Sequence, residues 1–182
     1  RLPVTLPRSA GAQPYTYLHP RLGGDGDVTN LATGPAAVFG HGLSYTSFEH
    51  RDLEVAGETA TDGTIEVSVT VANTGDRDGE EVVQVYGRDV HAQVTRPLAQ
   101  LLGFVRVAVA AGASQRVTVH IPTTRVAFTG LAGERIVEPG ALQVWTGTSG
   151  ERLAEAATTL VGDVHRITRD SARLTSATVG GR

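Results

Sequence analysis

A chain of 182 residues can bury one core and carry appendages, and 40% hydrophobic against 19% charged residues at a net charge of −3 exclude a disordered polymer or a basic nucleic-acid binder. No apolar run approaches the roughly 18 residues that a membrane-spanning helix requires, so neither nucleic acid nor membrane is expected as a partner. The absence of cysteine removes disulfides and thiolate metal sites but leaves the compartment open, cytoplasmic or secreted bacterial.

The chain opens on Arg1 and holds no methionine, the expected mark of a piece of something longer. Its first part, 1–38, carries five of the eight prolines and a glycine-rich patch, GGDGD, from Gly23 to Asp27. Such a segment cannot build a core, so an extended arm is expected, either disordered or belonging against another domain, in the second case with Val4 and Leu6 as a short edge strand and Tyr15 and Tyr17 as anchors. The next segment, 39–63, holds a linker and a first strand region. Within it VFGHGLSYTSF places three of the nine aromatic residues, Phe39, Tyr45 and Phe48, around Gly40, His41 and Gly42. Glycines on both sides of His41 permit a sharp backbone excursion, and aromatic anchors around a glycine hinge fit a docking linker better than a catalytic histidine.

Strict alternation begins at Thr64, with Ile65, Val67, Val69 and Val71 on one face and Glu66, Ser68 and Thr70 on the other. Further strands are expected at Glu81–Tyr86, Leu101–Val109, Arg116–Ile121, around Val126–Phe128, at Arg135–Val137 and at Leu142–Thr146. Ala156–Val161 reads as a weaker edge strand. About seven strands with turns every 8–12 residues are the pattern of an all-β immunoglobulin or fibronectin type III-like antiparallel β-sandwich, here over 64–162. Val67, Val69, Phe104, Val117, Val119 and Trp145 are expected in its core, as are Tyr86 and Phe128. Residues 163–182 are polar and arginine-rich and are expected to form a loose tail.

No catalytic constellation emerges. Glu80 and Glu81 are adjacent and would point to opposite faces of a strand. Asp76 and Asp78 fall in a turn, and Asp25 and Asp27 lack the spacing of a calcium loop. The six histidines show no helical zinc spacing, no G-x-S-x-G is present, and His120 alternates to a polar face. No catalytic residue, metal or cofactor is therefore assigned, and the docking group is Phe39, Gly40, His41, Gly42, Tyr45 and Phe48.

FGHGLSYTSF resembles the linker of glycoside hydrolase family 3, which leads into a C-terminal fibronectin type III-like domain. RLPVTLPRS at the start resembles the closing strand of that family's α/β domain. VTVANTGDRDGEEVVQVYGRD, RPLAQLLGFVRVAVAAGASQRVTVHIP and VEPGALQVWTGTS resemble successive strands of its fibronectin-like domain. The resemblance implies a parent that is an exo-acting, retaining β-glucosidase or β-xylosidase. Its aspartate nucleophile would lie in an N-terminal barrel, commonly beside a tryptophan, and its acid/base residue upstream of Arg1. Neither maps onto this chain, whose one tryptophan, Trp145, follows Val144. The implied partners are the N-terminal catalytic domains of the same enzyme; a carbohydrate is the other partner considered, through a rival reading as a sugar-binding or adhesion module.

Overall fold

The computed structural model describes residues 1–10, 16–19 and 34–180. Tyr15 and the Gly23–Asp27 patch, including Asp25 and Asp27, lie outside them.

Alternating β-branched residues build most of the strands, since such side chains pack well on a pleated, half-buried surface. One sheet has four antiparallel strands in the order β1 (Phe48–Val55), β3 (Thr64–Asn73), β6 (Ser114–Pro122), β12 (Ser176–Gly180). The second has the order β2 (Glu58–Ala60), β10 (Arg152–Val161), β9 (Gly140–Gly147), β4 (Gly79–Asp89), β5 (Gln100–Val109). Its pairings are antiparallel except that of β2 with β10, which is parallel. Three short strands, β7 (Phe128–Thr129), β8 (Arg135–Val137) and β11 (His165–Arg166), form a small third sheet. Between the two large sheets lie Ile65, Val67, Val69 and Val71 of β3, Val117, Val119 and Ile121 of β6, Val83 and Val85 of β4, and Leu142 and Val144 of β9. The chain is all-β with a sandwich core.

The turn after β3 works differently from its sequence signature. Neither Asn73 nor Gly75 adopts positive φ. Instead the buried Asn73 amide uses both ends: Oδ1 accepts from the Gly75 N–H (3.1 Å) and the Thr46 hydroxyl (2.6 Å), and Nδ2 donates to the carbonyls of Arg77 (2.8 Å) and Val109 (3.0 Å). Four hydrogen bonds from one side chain tie the linker, the turn and β5 together.

Phe104 departs from the expectation. It is 65% exposed, because the pairing of β4 with β5 shifts between Val85 and Tyr86, where Gly103 and Leu101 are the partners and Leu102 is the extra residue. This bulge lets Leu102 point inward beside an inward Gly103 and sends Phe104 and Arg106 to the outer face. A Cβ at Gly103 would meet Thr175 Cγ2 at 2.6 Å and Val119 Cγ1 at 3.1 Å, so glycine is required there by close packing.

Three further expectations are corrected. The segment read as a loose tail supplies β11 and β12, and β12 pairs with β6 from Ser176↔His120 to Gly180↔Arg116. The expected weak edge strand is the ten-residue β10, lying inside its sheet between β2 and β9. Val126 belongs to a 3-10 turn, Thr123–Val126, that follows Pro122, and only Phe128–Thr129 is extended beyond it.

Candidate docking site

The arm and linker lie on the outer face of the five-stranded sheet. Register pairs Tyr86 with Trp145 on that face, opposite to the pair Val85 and Thr146 that faces the core. Tyr86 and Trp145 are buried as expected, but in a second cluster outside the sandwich, with rings stacked at 5.8 Å between centroids. Tyr17 stacks on Phe39 at 4.1 Å and meets Tyr86 edge-on at 6.4 Å. Tyr17, expected as an anchor of the arm on another domain, thus packs on its own sandwich. Arg152 closes the group from the other side, its guanidinium 4.2 Å from the Trp145 ring centre.

At Gly40 the linker turns with φ +86, and a Cβ there would lie 2.5 Å from Gln84 Oε1 and 2.7 Å from the Tyr86 hydroxyl. Gln84 Nε2 donates to the Gly40 carbonyl (3.1 Å), and the Tyr86 hydroxyl donates to Gln84 Oε1 (2.7 Å). Burial pushes the Tyr86 phenol above its ordinary pKa, so it remains a donor. The Phe39 carbonyl accepts from the Ser149 N–H (3.2 Å). These contacts fasten Phe39 and Gly40 to the sheet.

The start of the arm runs beside the linker. The Leu2 N–H donates to the His41 carbonyl (2.8 Å), the Gly40 N–H to the Leu2 carbonyl (2.9 Å), and Leu6 forms an isolated bridge with Ala37. The strand expected near Val4 reduces to that bridge. Gly42 has Arg1 against it, where a Cβ would lie 2.9 Å from the arginine Cδ. Arg1 pairs with the buried Glu81, whose Oε1 lies 3.8 Å from His50 Nε2, and His50 Nδ1 is 2.9 Å from the Thr146 hydroxyl. This polar group at one end of the core anchors the arm.

The six docking residues therefore separate. Phe39, Gly40 and Phe48 face the sandwich, Phe48 as the first residue of β1 against the main core. Gly42 is half-buried under Arg1, whereas His41 is exposed and Tyr45 is 95% exposed, with Leu43 at 94% beside it. Leu43, Gln84 and Arg1 were missed as members of this site; only the alternation of β4 marks Gln84 as a neighbour of Tyr86 on one face.

The acidic candidates serve structure. Glu80 pairs with Arg106, Glu81 with Arg1, Asp76 with Arg77 (3.4 Å), and Asp78 Oδ1 accepts from the Ala111 N–H (2.9 Å). His120 Nδ1 lies 3.3 Å from Glu66 on the outer face of the four-stranded sheet. Among the described residues no three histidine or acidic side chains gather as metal ligands.

A Fibronectin type III-like domain model matches residues 81–150. A protein of Formosa agariphila with a β-xylosidase designation is 40% identical over 150 residues, covering 82% of this chain and 20% of the relative. The periplasmic β-glucosidase of Salmonella typhimurium is 33% identical over 168 residues, covering 86% of this chain and 22% of its own length. The chain belongs to glycoside hydrolase family 3. It matches the C-terminal part of these members, where the fibronectin type III-like domain lies. Among solved family 3 structures, the Listeria innocua β-glucosidase in complex with glucose superposes with a TM-score of 0.81 at 30% identity, covering 88% of this chain and 24% of that one. A β-glucosidase involved in saponin metabolism from intestinal bacteria gives 0.81 at 34% identity, with coverages of 88% and 22%. The chain thus spans about a fifth to a quarter of the relatives it matches.

Proposed function

We propose that this chain is the non-catalytic C-terminal module of an exo-acting, retaining β-glycosidase that releases terminal β-linked glucose or xylose. Its task is to hold the catalytic domains in register through the arm and linker. The observation that carries this reading is the fastening of Phe39 and Gly40 to the Tyr86–Trp145 face, which gives a rigid base to a linker whose Leu43 and Tyr45 stay free. Retaining glycosidases use two carboxyl groups about 5–5.5 Å apart. The acids described above are spent instead on arginines and a backbone N–H, which favours a supporting role over a chemical one. Sugar-binding modules present a row of exposed rings. Here Tyr86, Phe128 and Trp145 are buried, and the exposed rings, Tyr45 on the linker and Phe104 on β5, belong to separate segments and do not form a row along one strand, which favours docking over sugar capture.

The test is hydrolysis of aryl β-glucosides and β-xylosides by the 182-residue chain beside the intact polypeptide that continues before Arg1. The intact polypeptide should turn over and the chain alone should not. Turnover by the chain alone at a comparable rate would overturn the reading.

A further inference from the structure

Among the described residues, the arm and linker cover only half of the outer face of the five-stranded sheet. The arm and linker shield it from Trp145 across Tyr86 to Gln84, and the covering stops where Gly40 leaves the surface. Beyond that line Phe104 stands opposite Gln84, and Val82 opposite Arg106. Phe104 is two residues from Arg106 on the same face of β5. Val82 and Arg106 in turn border a surface hollow with Leu43, Tyr45 and Arg1. Leu43, Tyr45 and Val82 thus share the hollow, and Phe104 stands diagonal to Val82 on the same face, with two ion pairs beside them, Arg1 with Glu81 and Arg106 with Glu80. Leu43 and Tyr45 are almost fully exposed and Phe104 is 65% exposed, an apolar patch interrupted by the Arg106–Glu80 pair, and exposed apolar patches mark interaction surfaces.

The geometry points to this patch, centred on Phe104 and Tyr45, as the surface that receives the catalytic region preceding Arg1, an inference that rests on the function proposed above. Two observations select that occupant. The matched relatives are about four times as long and align through their C-terminal part. Polypeptide preceding Arg1 would enter at the patch itself, because Arg1 lies against Gly42 and lines the same hollow as Leu43 and Tyr45. A domain tethered at that point is held at high effective concentration over the rings, so a modest apolar patch suffices to seat it. Phe104 extends the contact beyond the linker to the sheet edge, which fixes the direction of approach as well as its anchor. The exposed phenylalanine produced by the β5 bulge then has a use that core packing could not give it.

Hydroxyl-radical labelling of Leu43, Tyr45 and Phe104 tests this in the intact polypeptide and in the 182-residue chain. Labelling should fall roughly fivefold or more in the intact polypeptide, as for residues at the dry centre of an interface. Equal labelling in the two would overturn the inference. So would protection that grows with concentration in the chain alone, which would make a second copy the occupant, or protection of the chain alone by glucose or xylose oligomers. Phe104→Asp should leave the melting of the 182-residue chain unchanged and lower that of the intact polypeptide; an unchanged intact polypeptide contradicts the inference. If that variant does not fold, the wild-type labelling decides alone. Removing 39–182 from the intact polypeptide separates the two readings: full stability without the module would sink the scaffolding function, while the labelling would still locate the contact.

Discussion

At Gly40 two independent demands meet, a left-handed φ and a backbone pressed on Gln84 and Tyr86. Gly40→Ala therefore has to strain its backbone and push aside a buried hydrogen-bonded pair. Backbone strain of this kind costs about 1–3 kcal/mol, so thermal unfolding of the variant chain should show a loss of at least that size. A wild-type melting temperature would show that the linker turn carries no load. Asp89 offers a pH-dependent test. Burial raises its carboxyl above the usual range, against the opposing pull of Arg96, whose guanidinium is 3.9 Å away. The folded pKa exceeds the unfolded one, so the folded state holds the proton more tightly. The penalty of the charged form is then absent at low pH and grows as pH rises through the raised value. The melting temperature of the wild type relative to Asp89→Asn should accordingly fall as pH is taken from about 3 to about 7, across the carboxylate range. Calorimetry showing the opposite drift would contradict the burial argument.

Among the elements, β5 and β12 depend on one another through Gly103. Thr175 occupies the space a Cβ would need, its hydroxyl donates to the Leu102 carbonyl (3.0 Å), and the chain then enters β12. Gly103→Val should expel this crossing and expose β12, so amide exchange at 176–180 should accelerate strongly while β3 and β4 stay protected. Exchange at β12 equal to the wild type would show that the tail is held by its pairing with β6 alone. These elements also mark where the sequence stops being legible. The alternation of β3 and β6 could be read because each buries one face, a period-two signal that survives in any context. The bulge at Leu102 could not, since one inserted residue reverses the faces beyond it and leaves no mark except a glycine whose reason is a strand seventy residues away. The tail looked loose because β12 is short and, of the tail's apolar residues, Ile167 and Ala177 pack against the core only partly buried while Val179 lies largely outside it. Likewise the linker was recognisable from its aromatics and glycines, whereas the division of its residues between the sandwich face and open surface depended on Gln84 and Arg1, polar partners without a pattern of their own.

On the scale of the whole molecule the fold consists of a sandwich core and a second, aromatic layer formed where the arm lies over the sheet. That layer links Phe39, by way of Tyr17 and Tyr86, to Trp145, and under the function proposed above it is the base that holds the linker from which Leu43 and Tyr45 project. Truncating a buried phenylalanine costs roughly 3–5 kcal/mol at full burial; Phe39 is half-buried, so a smaller but measurable loss is expected. The chemistry proposed for the parent lies elsewhere, so loss of this layer should change how much enzyme stays folded and leave untouched what each folded molecule does. The direct measurement is turnover per folded molecule, together with the melting temperature, for Phe39→Ala and His41→Gln in the intact polypeptide. Phe39→Ala should lower the melting temperature at wild-type turnover, and His41→Gln should preserve both the rate and its pH profile. A His41→Gln variant that melts like the wild type but has lost turnover, or a limb of its pH profile, would place the linker in the active site and contradict the account.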